Sequence, residues 1–153
     1  TDLRPTRFDF VEFVETVAGR LLIDTPDADF VLEYELPENP VYVYTDQGRM
    51  EQVLDNLIVN AKRNVSSSGI LKLSLTEQKD GLHFSIYNEG RKISKENLEK
   101  IWTKFYRNPN TSYGGSGLGL AIVAQILSMQ GLSYGAENQP GGVKFYFTIP
   151  VVK

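Results

Sequence analysis

Three asparagines recur at four-residue spacing in the tract NLIVNAKRN, at Asn56, Asn60 and Asn64, and Arg63 stands beside the last of them. On a helix that interval places all three on one face. Asparagine lowers helix propensity because its side chain competes for backbone hydrogen bonds, so three in one helix oppose local stability and call for compensation. A carboxamide oxygen is a hard, neutral ligand suited to Mg²⁺, a cation that keeps several waters and takes further oxygens from phosphates. Asn60 is the best candidate ligand. Read as plain structure, the three are solvated surface polars or amides bonded to a neighbouring loop.

A second tract, Gly114-Gly115-Ser116-Gly117-Leu118-Gly119-Leu120, runs straight into an apolar helical stretch. Glycines let backbone N–H groups approach an anion closely, and a helix N-terminus offers unpartnered donors and the positive end of a dipole. The chemistry is phosphate binding, although flexible loops and ordinary helix starts also collect glycine. No strand leads into the tract, so it is not the dinucleotide fingerprint. In Ile86-Tyr87-Asn88-Glu89-Gly90-Arg91-Lys92-Ile93, Asn88 could accept from an exocyclic amine and donate to a ring nitrogen, as adenine requires, or serve a plain turn. Ile101-Trp102-Thr103-Lys104-Phe105-Tyr106-Arg107 mixes aromatics with two cations. It could anchor a loop while directing Lys104 and Arg107 at phosphates, or end a helix on the core.

The elements that must position these residues follow from periodicity. Asp9 and Glu12 have capping-box spacing ahead of Phe10, Phe13, Val14, Val17 and Leu21, a first amphipathic helix closed by Pro26 and the Asp27 to Asp29 cluster. Phe30 to Leu36 and Val41 to Tyr44 are β-rich runs between Pro37 and Pro40 and read as a hairpin. Asp46 caps a second helix, with Met50, Val53, Leu54, Leu57, Ile58 and Ala61 as its apolar stripe. Alternation predicts two strands across Lys79-Asp80-Gly81, from Leu71 to Leu75 and from Leu82 to Ile86. A short helix is expected from Ser94 to Ile101, a mobile loop from Arg107 to Gly117, and a third long helix from Leu118 to Met129. Strands at 132–137 and 143–149 close the chain around Gln139-Pro140-Gly141-Gly142. The mixed order predicts an α/β sandwich without internal repeats.

Composition limits the alternatives. The 153 residues, 41% hydrophobic and 23% charged, fit one domain able to bury a core without staples. A net charge of −3 provides no global field for nucleic acid or anionic lipid. The chain has no cysteine and one histidine, His83, which sits in a strand and reads as structural. Thiolate catalysis, cysteine–zinc sites and three-histidine zinc sites are excluded, and no GxSxG elbow occurs. No run approaches the roughly 20 apolar residues of a membrane helix, and no signal-peptide pattern opens the chain. Thr1 and Leu3 read as a start inside something longer, so residues 1–153 are expected to be an excised single domain.

Taken in order, NLIVNAKRN, NEGRKI, IWTKFYR, GGSGLGLAIV and GGVKFYFTIP resemble the ATP-binding catalytic domain of sensor histidine kinases, within the wider family that includes DNA gyrase B, Hsp90 and MutL. The likeness covers nearly the whole chain, including the lead-in TDQGRMEQVL. It implies a Bergerat-type fold, a two-layer sandwich whose mixed, mostly antiparallel sheet is backed by three helices, with a flexible ATP lid at about 107–116. By position Asn60 matches the Mg²⁺-binding asparagine of the N box and Arg63 its phosphate-contacting base, while Asn64 lines the adenine side. Asn88 and Gly90 match the first G box, Lys104 to Arg107 the F box, and Gly115, Gly117 and Gly119 the second G box. Ile93, Tyr106, Ser116 and Leu118 complete the implied nucleotide contacts.

Two positions depart from the family pattern, Asn88 where Asp is usual and Lys92 where a second glycine is usual. The loss of charge at Asn88 implies modest nucleotide affinity. The Asn-Glu-Gly form also resembles a subset of kinases near the vancomycin-resistance sensors. Asn56 stands where the family's ATPases carry a water-activating glutamate, and an amide cannot take that proton. The resemblance therefore implies transfer of the ATP γ-phosphate to a histidine on a separate helical dimerisation domain, and through it to a response regulator. Asn56, Asn60, Arg63 and Arg107 would form the catalytic group. The parent is expected to be a homodimer in the bacterial cell membrane, with this domain cytoplasmic, monomeric in isolation and without a nucleic-acid partner. The alternatives are a catalytically degenerate nucleotide-binding or docking module and a gyrase-like ATPase.

Overall fold

The computed structural model describes residues 2–23, 28–103, 106 and 118–153. Asp9 caps the first helix as expected, its carboxylate accepting the backbone N–H of Val11 at 3.0 Å. Helix α1 (Phe10–Ala18) buries Phe10, Phe13, Val14 and Val17 and continues into a π-helical turn at Gly19–Ile23. Asp46 caps α2 (Gln47–Asn64) by accepting from Arg49 N–H at 3.1 Å, and every residue of the expected apolar stripe is buried. Helix α3 (Gly119–Met129) turns Leu120, Val123, Ile126 and Leu127 inward.

The strands are β1 (Thr6–Asp9), β2 (Phe30–Glu35), β3 (Tyr42–Thr45), β4 (Gly69–Gln78), β5 (Gly81–Glu89), β6 (Tyr134–Gln139) and β7 (Gly142–Ile149). Five of them form one sheet in the order β2-β4-β5-β7-β6, with β2 parallel to β4 and the other neighbours antiparallel. Burial alternates along β4, β5 and β7, so one face carries Leu71, Leu73, Phe84, Ile86, Phe145 and Phe147 into the helices. The opposite face is polar and half-exposed, as an antiparallel sheet covered on one side permits. This is the mixed α/β sandwich expected from the sequence. His83 lies on the polar face and bonds Asp80 at 2.6 Å, a local contact in the β4–β5 turn.

Three expectations need correction. The runs around 30–36 and 41–44 are not a hairpin: β2 pairs with β4, and β3 pairs antiparallel with β1 in a separate two-stranded sheet. Pro37-Glu38-Asn39-Pro40 lacks the tight-turn chemistry that joins paired strands. The Asp9 carboxylate instead accepts Val41 N–H at 3.1 Å, and Phe10 N–H donates to Val41 O at 2.8 Å, drawing β3 to the N-terminal strand. That strand, β1, was not expected at all. The short helix from Ser94 to Ile101 is two single 3₁₀ turns, Lys95–Asn97 and Lys100–Trp102, too short to propagate an α-helical ladder. Among the described residues no helix is long and apolar enough to cross a membrane.

Candidate functional site

Asn60 lies at 3% exposure on α2, turned away from solvent by the same rotation that buries Leu57 and Ala61. Asn56 and Asn64 are half-buried one turn to either side, and Arg63 is exposed. The Asn64 amide donates to the Asn60 backbone carbonyl at 2.8 Å and reaches Asn60 Oδ1 at 3.4 Å. Asn60 Nδ2 is buried without a hydrogen-bond partner. Leaving such a donor unsatisfied costs about 1–3 kcal/mol. Natural cores rarely tolerate this without a use for the group.

The face containing these asparagines meets the other candidate segments at both ends. Toward its N-terminal end, a Cβ added to Gly119 would stand 3.1 Å from Asn56 Oδ1, so the first residue of α3 sits directly against that amide. Leu118, the N-cap residue of α3, makes no side-chain hydrogen bond to its first turn. Toward the other end, a Cβ on Gly90 would lie 2.6 Å from the Asn64 carbonyl oxygen and 3.4 Å from Asn88 Nδ2. Gly90 also has φ +151°, where a side chain is strained. Asn88 is fully buried near the end of β5, and its amide donates to the Glu89 carbonyl at 3.3 Å. One continuous wall thus runs from Gly119 through Asn56, Asn60 and Asn64 to Gly90 and Asn88.

Other candidates have different surroundings. Ile93 is 1% exposed and belongs to the core. Tyr106 packs on the core with its hydroxyl buried and without a hydrogen-bond partner, and burial raises its pKa above the ordinary phenol value. Leu118 is 40% exposed. Lys104, Arg107, Gly115, Ser116 and Gly117, together with the expected lid at 107–116, lie outside the described residues.

Two residues escaped the sequence reading. Glu89 pins the connection after α2 to the end of β5: its carboxylate accepts Ile70 N–H at 2.6 Å and its carbonyl accepts Ser66 N–H at 2.9 Å. Asn138 on β6 accepts Ile93 N–H at 3.0 Å and donates to Ile93 O at 2.7 Å. Its one available signal was an asparagine inside a strand, where that residue type is depleted.

The fold agrees with the comparisons to known proteins. The chain belongs to the family of histidine kinase-, DNA gyrase B- and HSP90-like ATPases, whose sequence pattern matches residues 45–153. Its relatives are sensor histidine kinases. Sensor histidine kinase WalK of Bacillus subtilis is 36% identical over 121 residues, 75% of this chain and 20% of that protein. Sensor protein VanSB of Enterococcus faecalis is 30% identical over 145 residues, 93% of this chain and 30% of that protein. The chain therefore spans less than a third of either curated relative. Among solved structures, the nucleotide-free catalytic domain of histidine kinase ThkA matches with a TM-score of 0.84 at 28% identity, covering 98% of this chain and 96% of that one. ThkA in complex with the response regulator protein TrrA matches with a TM-score of 0.82 at 27% identity, covering 98% of this chain and 42% of that one.

Proposed function

We propose that this chain is the ATP-binding catalytic domain of a two-component sensor kinase, holding Mg²⁺-ATP along the asparagine wall and presenting its γ-phosphate to a histidine on a separate helical dimerisation domain. The observation that carries the reading is Asn60, buried on α2 between Asn56 and Asn64 with an amide nitrogen that lacks a hydrogen-bond partner. A neutral amide oxygen suits Mg²⁺, and Asn60 Oδ1 retains a lone pair beside its long contact with Asn64. When bound, the cation supplies charge neutralisation at the transferring phosphoryl group. Asn60 holds it. Arg63 and Arg107 bind phosphate oxygens, the α3 N-terminus with Gly115, Gly117 and Gly119 donates backbone N–H groups, and Asn64, Asn88 and Gly90 seat the adenine. Positioning and electrostatics then carry most of the rate, with the acceptor imidazole as nucleophile.

Asn56 favours transfer over hydrolysis. It lies against the start of α3, and an amide cannot remove a proton from attacking water near neutral pH. A gyrase-like ATPase would release phosphate steadily, whereas this chain alone is expected to do so near background. The parent is proposed to be a homodimer in the bacterial cell membrane that passes phosphate to a response regulator through its helical domain.

A second reading, a nucleotide-binding or docking module without catalysis, is favoured by Asn88, which is neutral and already donates to Glu89. Titration with ATP in Mg²⁺ and in EDTA separates the two. Mg²⁺-dependent binding abolished by Asn60→Ala supports the kinase, and no binding in either condition supports docking. Supplying [γ-³²P]ATP with the parent's helical domain must yield acid-labile phosphohistidine, and its absence from a folded pair would sink the assignment.

A further inference from the structure

The segment leaving β5 is supported from its far side by the β6–β7 hairpin. Tyr87 Oη donates to Pro140 O at 3.1 Å, Gly90 N–H donates to Gly141 O at 3.0 Å, and Asn138 brackets Ile93 through two bonds. Of these attachments the last is unusual, because one primary amide serves both backbone groups of one residue and so mimics a neighbouring strand. With Ile93 anchored in the core, that bracket fixes where the chain goes between Gly90 and Ile93.

We infer that Asn138 is a positioning residue for adenine recognition: it touches no nucleotide, yet it holds the 90–93 segment at the depth at which Asn88 and Gly90 meet the base. This rests on the nucleotide reading above. The bracket needs both a donor and an acceptor within one short side chain. An aspartate keeps the shape and can accept from Ile93 N–H, but when ionised it cannot donate and sets a carboxylate oxygen against Ile93 O. An alanine loses both bonds. If the role is positioning, both changes weaken base recognition in the folded chain. If it is only structural, they shift melting and leave the affinity of folded molecules unchanged.

The test measures Kd for ATP and for inosine triphosphate by calorimetry at neutral pH, well below each variant's melting temperature, for the wild type, Asn138→Asp and Asn138→Ala. The expected result is an ATP Kd raised about tenfold in each variant, the size of one net hydrogen bond. Inosine triphosphate, which lacks the 6-amine, should change less, narrowing the preference for ATP. Wild-type ATP affinity in both folded variants would overturn the inference while leaving the nucleotide reading intact. No ATP binding by the wild type would overturn both. Should Asn138→Ala fail to fold, the isosteric Asn138→Asp carries the comparison. Loss of folding in both would also overturn the inference, making Asn138 a residue of the fold rather than of the site.

Discussion

Replacing Asn60 with alanine should stabilise the nucleotide-free chain while destroying its response to Mg²⁺-ATP. The buried, unsatisfied Nδ2 costs about 1–3 kcal/mol, which the truncation removes. Alanine also gains up to about 0.7 kcal/mol of helix propensity over asparagine in the interior of α2. Against this stand the 3.4 Å contact from Asn64, worth at most about 0.5 kcal/mol at that length, and a small loss of packing. The stronger 2.8 Å bond from Asn64 goes to the Asn60 backbone carbonyl and survives. The net is a gain of about 1–2 kcal/mol, which for a chain of this size raises Tm by about 2–8 °C. Differential scanning calorimetry with and without Mg²⁺-ATP reads both effects at once. The wild type should melt higher with nucleotide, because a ligand that binds only the folded state stabilises it by mass action, and the variant should not respond. Melting of ligand-free Asn60→Ala at or below the wild-type temperature would refute the reasoning, since Asn60 would then be an ordinary structural amide.

Gly90→Ala meets both a clash, with its Cβ 2.6 Å from the Asn64 carbonyl, and a disfavoured backbone angle. It should lower stability by about 1–3 kcal/mol in urea unfolding. An unchanged midpoint would show that α2 and the end of β5 yield more readily than their geometry suggests. Asp46 lies below the ordinary carboxylate value chiefly because Arg4 N–H donates to it, followed by Arg49 N–H and the Arg49 charge. A depressed carboxylate adds stability above its unfolded pKa of about 3.9 that is lost as pH falls through its folded pKa. Asp46→Asn keeps the cap to Arg49 N–H but loses the acceptor for Arg4 N–H, so it should cost about 1–2 kcal/mol at pH 7. Its urea midpoint should also fall less steeply than the wild type's below about pH 4, the remaining slope coming in part from Asp29 and Asp80, which are lowered too. Equal slopes would remove Asp46 from the acid transition.

The strongest periodic signals translated directly into structure. Met50 to Ala61 form a buried stripe and the β4–β5 alternation a one-sided sheet, because a single physical cause, burial of one face, governs both pattern and position. Strand partners were less legible. Nothing local to Phe30 or Tyr42 states that the first lies beside β4 and the second beside β1, since that choice depends on Asp9 reaching Val41 across the fold. The shared face of Asn56, Asn60 and Asn64 follows from helix geometry alone. Their joining to Gly119 at one end and Gly90 at the other needed either the family resemblance or the structure. The role of Asn138 was invisible because its partner is a backbone, and backbone groups leave no mark in a sequence.

The strand order carries a consequence for biosynthesis. Strand β7 follows β6 in sequence but lies between β5 and β6 in the sheet, and the hairpin it forms with β6 supports Gly90 and Ile93. A ribosome adding roughly 5–20 residues per second exposes β4, β5 and α2 for seconds before that hairpin emerges. During that interval the β5 edge is unpaired, a template for any neighbouring strand. The Gly90 end of the wall then gains its support only once that hairpin has been made, so a nascent chain stalled before Gly142 should be poor at binding ATP and depend on chaperones to stay monomeric.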